Sequence, residues 1–279
     1  MNGHFVKMQG AGNDFILIDN RRGIWPLDAA HLRRWCDRRL GVGADQLLVL
    51  EEPRRLDADF RYRIFNADGG EVEQCGNGAR CMTRWVLERI LPGECVRFET
   101  MRAVIRGSIG KDGLVSVEMG MPILDAKDLP FRNEGLSLHD GSWWGFGLSG
   151  TEELCVLAVG NPHAVRFGPM PEDELFRRTG ERLQAHPAFP EGINFECVCP
   201  RSDSEADFRV WERGVGETPA CGSGACAAAV AGMLTGRFGR TVTFHTRGGI
   251  LRVRRPDPDG PVFLEGPAEY VFEGDIPLD

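Results

Sequence analysis

The hydrophobic pattern of the chain consists mainly of short apolar runs, each bounded by polar, glycine or proline residues. Runs of this length and composition predict β-strands. The first half contains FVKM (5–8), FILID (15–19), QLLVL (46–50), FRYRIF (60–65), VRFET, AVIRGSI and LVSVEM. The second half contains LCVLAV, AVRF, INFECVC, FRVWE, VTFHT, ILRVR and VFLEG. The chain is therefore predicted to be rich in strands.

Four longer stretches predict helices, and they are interspersed among the strands in the same order in both halves. They run from the capping residue Asp28 to Leu40, from about Ala79 to Ile90, from about 172 to 183, and over GACAAAVAGML. The best boundary between the halves is residues 120–135, because Pro122 and Pro130 interrupt strand pairing there. This order predicts two αβ domains.

A repeat within the sequence supports that prediction. Aligning Cys75 with Cys221 also matches two glycines, an alanine and a glutamate, all at one offset of 146 residues. Two unrelated glycine-rich turns are the alternative explanation, but five identities at fixed spacing favour duplication of an αβ unit. The duplication predicts two similar domains that face each other.

Composition and charge argue against several classes of function. With 279 residues, 42% of them hydrophobic and 27% charged, the chain resembles an ordinary globular protein without a membrane span or an export signal. A net charge of −8 and the lack of a basic stripe argue against nucleic acid as a partner. The nine cysteines are odd in number, which predicts reduced thiols in the cytoplasm.

The repeated motif, C-G-x-G-A before a helix, has a defined chemistry. Glycines let the backbone approach a ligand, and the first N–H groups of a helix have no partner within it, so they form an anion site. A thiol there is expected to have a pKa below the usual value of about 8.5. One such cysteine suggests a nucleophile. Two of them, Cys75 and Cys221, suggest removal of a proton from one face of a carbon and delivery of a second proton to the other face.

Other uses of these cysteines are less well supported. A metal site favours C-x-x-C pairs or nearby histidines, which are lacking here, so no metal is predicted. A redox role is poorly supported, because the sequence has no C-x-x-C motif. A Cys–His hydrolase is disfavoured because it does not need a second thiol. Cysteines within the predicted helices, Cys81 and Cys226, are expected to be small buried apolar residues.

Several segments together resemble one family. MQGAGNDFILID, GVGADQLL, FNADGGEVEQCGNGARC, GNPHAV, INFECV and RVWERGVGETPACGSGACAAAVA are similar to the motifs of diaminopimelate epimerases. The matches run in order from residue 8 to residue 230. Proline and hydroxyproline racemases share the fold but not the GNDF and ERGVGET contexts.

The resemblance implies an α+β fold of two similar αβ domains related by pseudo-two-fold symmetry. Each is a curled sheet around a central helix, and the active site lies in the interdomain cleft. The N-terminal domain is then 1–121 with a returning strand at 268–279, and the C-terminal domain is 122–267. The implied activity is epimerisation of LL-diaminopimelate to meso-diaminopimelate in lysine and cell-wall precursor synthesis, by a cytoplasmic homodimer that uses no cofactor.

The resemblance also assigns residues. Cys75 and Cys221 are the two bases, and His163 and Glu212 support the proton transfer. The residues implied in substrate binding are Asn13, Gln46, Asn66, Gly76, Asn77, Asn161, Asn194, Glu212, Arg213, Gly222 and Ser223.

Three positions depart from the family pattern: Gly70, Gln74 and Phe272. Phe272 stands where relatives often have a tyrosine at the dimer contact, which weakens the inference about the dimer. Two alternatives remain open at this point, an epimerase of another amino acid such as proline and a binding module without catalysis. The presence of both cysteines argues against the binding module.

Overall fold

The structure is a computed structural model, and it describes residues 1–73, 75–129, 137–139, 143–145 and 154–279. The chain forms two compact units. Unit 1 comprises Met1–Glu118 and Glu265–Asp279, and unit 2 comprises Met119–Leu264. The domain boundaries inferred from the family resemblance stay a prediction. Gln74 and part of the segment 120–135, on which sequence-based expectations rest, lie outside the described residues.

Unit 1 is a mixed sheet with two helices. Its elements are β1 (Asn2–Gly10), β2 (Asn13–Asp19), α1 (Ala29–Cys36), β3 (Gln46–Glu51), β4 (Phe60–Asn66), β5 (Glu71–Val72), α2 (Gly76–Arg89), β6 (Cys95–Glu99), β7 (Val104–Ile109) and β8 (Val115–Gly120). Strand β2 is antiparallel to β1 and parallel to β3, and β4 is antiparallel to β3 and β5 but parallel to β6. Strands β6, β7 and β8 then pair antiparallel in sequence.

Unit 2 repeats this arrangement. Its elements are a 3₁₀ turn (Ala126–Asp128), β9 (Ser137–His139), β10 (Trp143–Gly145), β11 (Cys155–Val159), β12 (Asn161–Phe167), α3 (Asp173–Gln184), β13 (Asn194–Pro200), β14 (Glu205–Glu212), β15 (Gly216–Thr218), α4 (Gly222–Leu234), β16 (Thr241–Thr246), β17 (Gly249–Arg254) and β18 (Val262–Gly266). Strand β12 is antiparallel to β11 and parallel to β13, and β14 is antiparallel to β13 and β15 but parallel to β16. The last strand, β19 (Glu269–Pro277), returns to unit 1 and pairs antiparallel with β1.

Each sheet is covered by helices on both faces. In unit 1, residues 47–50 of β3 are all buried, as expected of a strand with two covered faces. Leu32 and Trp35 of α1 pack in one cluster with Leu47, whereas Leu48 contacts α2 at Gly78. Helix α2 also packs against β1, β2, β6 and β7. The predicted α+β class with two similar units, each a sheet around a central helix, is confirmed.

The central helix of unit 2, α4, is apolar on all sides. Ten of its thirteen residues are buried, and the helix packs against β11, β12, β13, β16 and β17. A helix that is apolar all round is stable only when it is enclosed. The alanine-rich sequence therefore fits a helix whose small side chains let the surrounding strands approach closely.

Three helix boundaries differ from the sequence-based expectation. Helix α1 begins after Asp28 as predicted but ends at Cys36, because the Asp37 side chain accepts the N–H groups of Arg39 and Leu40 and forms a turn. Helices α2 and α4 begin earlier than predicted, at Gly76 and Gly222. In both, the residue before the helix is a cysteine in extended conformation. Within the described residues, none of the helices combines the length and the apolar character needed to span a bilayer.

Candidate active site

The predicted polar residues of unit 1 lie at one edge of its sheet. Asn13 and Gln46 are the first residues of the parallel strands β2 and β3, and Asn66 is the last residue of the antiparallel strand β4. Gln46 is paired in register with Asn66, and its Nε2 donates to Asn66 Oδ1 at 2.9 Å. The Oε1 atom of Gln46 is buried and has no hydrogen-bond partner among the described residues.

Cys75 caps the helix that begins at this edge. Its backbone is extended (φ −145°, ψ 107°), and its Sγ accepts the N–H of Gly78 at 3.3 Å. The thiol is half-buried, and it donates to Asn13 Oδ1 over 3.8 Å. The first-turn N–H groups of Gly76 and Asn77 have no carbonyl within the helix to bind.

Two neighbours fix the orientation of the amides at this half-site. Asp45 Oδ2 accepts from Asn13 Nδ2 at 2.6 Å, so the Asn13 oxygen is the atom that faces the thiol. Arg80 is fully buried and donates to Asn77 Oδ1 at 2.9 Å. The Asn77 side chain is thus engaged, and its backbone N–H is the group suited to a ligand.

Unit 2 places its predicted residues at the equivalent positions. Asn161 and Asn194 begin the parallel strands β12 and β13, Glu212 ends β14, and Cys221 precedes α4 in extended conformation (φ −126°, ψ 117°). Residues Gly222 and Ser223 form the first turn, and Ser223 Oγ lies 3.4 Å from Cys221 Sγ. The same edge of both sheets therefore carries a cysteine and three strand-end polar residues.

Cys221 lies in a different electrostatic environment from a surface thiol. It is only 6% exposed, and burial raises the pKa of its thiol well above the usual value. The negative charge of Glu212 raises it further, and the Ser223 hydroxyl acts in the opposite direction. The expectation that the pKa of this thiol is lowered is therefore wrong for Cys221, because burial and the charge of Glu212 outweigh the hydrogen bonds of Ser223 and the Gly224 N–H.

Glu212 is held beside this thiol. Burial raises the pKa of its carboxyl group, and hydrogen bonds from Thr218 and Cys221 lower it by a smaller amount. The Thr218 hydroxyl donates to Glu212 Oε1. A carboxylate with a raised pKa next to a thiol with a raised pKa can accept the thiol proton.

His163 is completely buried in unit 2. Its Nε2 lies 2.9 Å from Asn161 Oδ1, and its Nδ1 lies 2.6 Å from Glu196 Oε1. Glu196 was not singled out from the sequence, although a charged residue inside the apolar run INFECVC is a visible signal. Burial raises the pKa of Glu196, and His163 lowers it by a smaller amount.

Asn194 and Arg213 are joined through the backbone. The Arg213 N–H donates to Asn194 Oδ1 at 2.7 Å, and Asn194 Nδ2 donates to the carbonyl of Pro162. The Arg213 side chain is exposed, and its Nη1 donates to the carbonyl of Glu191 at 3.2 Å. Arg213 is thus fixed at its backbone and reaches toward solvent with its guanidinium.

An ion pair repeated in both units explains one of the sequence identities. Arg63 binds Glu71 with two hydrogen bonds, at 2.8 and 2.7 Å, and Arg209 binds Glu217 with two, at 2.9 and 3.1 Å. Both members of each pair are separated from their counterparts by the same 146 residues as the cysteines. The pairs connect β4 to β5 and β14 to β15, directly before the segments that lead to Cys75 and Cys221.

The structure thus brings the predicted site residues together within each unit. All nine cysteines are described and are free thiols. The described part of the chain contains no group of three or more His, Cys, Asp or Glu side chains arranged to hold a metal ion.

Comparison with known sequences identifies one family. The sequence model described as "Diaminopimelate epimerase" matches residues 5–124 and 155–271. The protein is 44% identical to a diaminopimelate epimerase of Azotobacter vinelandii, over 98% of this chain and 99% of that one. It is 45% identical to the diaminopimelate epimerase of Nitrosomonas europaea, over 98% of both chains.

Solved structures with lower identity share the fold. A hydroxyproline epimerase from Agrobacterium vitis superposes with a TM-score of 0.66 at 15% identity and covers 99% of this chain and 91% of its own. A PhzF-family phenazine biosynthesis protein from Bacillus anthracis gives 0.65 at 15% identity, over 99% of both chains. These likenesses support the fold alone. The family model and the close relatives confirm the predicted isomerase class and show that the chain belongs to the diaminopimelate epimerase family.

Proposed function

We propose that this protein interconverts LL- and meso-diaminopimelate without a cofactor, with Cys75 and Cys221 as its two bases. The observation that supports this most strongly is the equivalent placement of the two cysteines, each directly before the central helix of its unit. The substrate is inferred from membership in the diaminopimelate epimerase family. The reaction belongs to the synthesis of lysine and of the cell-wall precursor.

In the proposed reaction, the thiolate of one cysteine takes the α-proton of the substrate and becomes a thiol. The electron pair left on the carbon spreads into the adjacent carboxylate, where the helix N–H groups of Gly76, Asn77, Gly222 and Ser223 stabilise the added negative charge. The thiol of the other cysteine then gives its proton to the opposite face of the carbon. One proton is lost and one gained, and the two cysteines exchange roles in the reverse direction.

The environments of the cysteines favour a defined starting state. The raised pKa of Cys221 favours its thiol form, so Cys221 is suited to enter the reaction as the proton donor. In the reverse direction Glu212 accepts the Cys221 proton as the thiolate forms. His163, held between Asn161 and Glu196, is assigned to support this transfer, as the family resemblance implies.

The remaining strand-end residues bind the substrate in this proposal. Amides can donate and accept, so they can hold both the amino and the carboxylate groups of diaminopimelate. The amide residues are Asn13, Gln46, Asn66, Asn161 and Asn194. Arg213 is assigned to the distal carboxylate, because its exposed guanidinium can make charge-assisted hydrogen bonds.

Replacement of either cysteine tests the two-base assignment. Cys75→Ala and Cys221→Ala are each expected to lower the epimerisation rate by about 10²–10⁴-fold, the usual contribution of a positioned acid or base. The measurement is chiral separation of LL- and meso-diaminopimelate after incubation with purified protein. Cys199→Ala, at the far end of β13, is the control and should keep wild-type activity. Either active-site variant retaining most of its activity while folded would contradict the assignment.

Replacement of Arg213 tests the distal site. Arg213→Met keeps the aliphatic stem and removes the charge, so KM should rise by about tenfold to a hundredfold with a smaller change in kcat. Arg201→Met is the matched control, because Arg201 is also exposed in unit 2 but lies at the opposite end of β13 and β14. An unchanged KM in Arg213→Met would show that another residue holds the distal carboxylate.

We further propose that the protein is a cytoplasmic homodimer, as the family resemblance implies. Support comes from β19, where Val271 and Phe272 are about half exposed, at 55% and 49%. Large apolar side chains on one strand are suited to cover the same strand of a second copy. Sedimentation equilibrium should give twice the mass of the chain, and a monomer mass would refute the dimer.

A further inference from the structure

Glu196 is a buried carboxyl group that the proposed reaction does not use directly. Its side chain is fully buried, and its Oε1 lies 2.6 Å from His163 Nδ1. Its Oε2 has no hydrogen-bond partner among the described residues. A buried carboxyl group that is only half satisfied is costly, so its presence requires a reason.

Packing does not supply that reason. Glu196 is the third residue of β13, and Leu48 is the third residue of the equivalent strand β3. A Cβ on Gly224 would lie 2.7 Å from Glu196 Oε1, and a Cβ on Gly78 would lie 3.1 Å from Leu48 Cδ2. The space beneath the first turn of the central helix is therefore filled by Leu48 and Tyr62 in unit 1 and by Glu196 and Phe208 in unit 2, so a carboxylate is not needed to fill it.

The hydrogen bonds of His163 indicate where the protons lie on His163 and Glu196. Asn161 Oδ1 lies 2.9 Å from Nε2 and accepts from it, so Nε2 carries a hydrogen. The 2.6 Å contact between Nδ1 and Glu196 Oε1 then holds one further proton. The carboxylate of Glu196 faces the start of α4, and the imidazole of His163 faces Asn161.

We propose that Glu196 is a positioning residue of the reaction: it shares one proton with His163 and thereby fixes the imidazole and sets the protonation of Cys221. This inference rests on the proposed function only for its effect on turnover. Its effect on the Cys221 thiol is a property of unit 2 alone.

Three titratable groups on the neighbouring elements interact with Glu196. His163 on β12 lies 2.6 Å away, and Glu212 on β14 and Cys221 at the start of α4 interact with it electrostatically. The negative charge of Glu196 raises the pKa of Cys221, in addition to the larger effects of burial and Glu212. Removing the charge of Glu196 should therefore let the Cys221 thiolate form at lower pH.

The first test measures the thiols directly. In Glu196→Gln, the pH dependence of Cys221 alkylation by iodoacetamide, followed by mass mapping, should move to lower pH by about half a unit or more, with Cys75 unchanged. Glu196→Leu, which introduces the residue of the equivalent position, should shift it in the same direction. Glu205→Gln is the control, because Glu205 pairs with His245 away from this site. An unshifted Cys221 profile in the folded Glu196→Gln protein would overturn the proposal.

The second test separates positioning from binding. Because Glu196 is fully buried, its replacement by Gln should leave KM within about twofold of wild type. The loss of the proton that it shares with His163 should lower kcat by about tenfold or more. A wild-type kcat in Glu196→Gln would overturn the role in turnover. If the wild-type protein fails to epimerise diaminopimelate, the proposed function falls, but the alkylation experiment still decides whether Glu196 controls Cys221.

Discussion

The start of the central helix in each unit is the constraint on which the rest of the structure depends. An extended cysteine must lead directly into a buried helix, at the sheet edge where two parallel strands begin and an antiparallel strand ends. This geometry directs strand-end side chains and unpaired helix N–H groups to the same place. The glycines that follow each cysteine allow strands to approach the first turn, since a Cβ on Gly78 would meet the Tyr62 hydroxyl at 2.6 Å.

The same backbone arrangement gives two unlike thiols. Cys75 is half-buried, caps its helix by accepting the Gly78 N–H and faces the oxygen of Asn13. Cys221 is buried beside a glutamate. In the proposed two-base reaction one cysteine holds the proton to be given and the other is ready to take one, and unlike surroundings bias which cysteine holds it. Divergence of side chains on a duplicated backbone is a direct way to supply that difference.

The sequence predicted the repeated framework but not the electrostatics. The cysteine repeat, both central helices and the strand-end residues followed from local pattern and from the family resemblance. The raised pKa of Cys221 could not be predicted, because it depends on burial and on Glu212, nine residues away along the chain. Similarly, the contact of Glu196 with His163 joins neighbouring strands and is visible only when β12 and β13 are paired in register. The end of α1 at Cys36 depended on a single side chain, Asp37, whose turn competed with the helix.

The origin of the proton returned to the carbon tests the central claim of two thiol bases most directly. Thiol hydrogens exchange with solvent, so in D₂O the proton donor carries deuterium before it reacts. Proton NMR and mass spectrometry of the first turnovers should show one deuterium at the epimerised carbon of nearly every meso-diaminopimelate formed, while unreacted LL-diaminopimelate keeps its hydrogen. Product that retains the original α-hydrogen would mean that one base both removes and returns the proton, and would contradict the account.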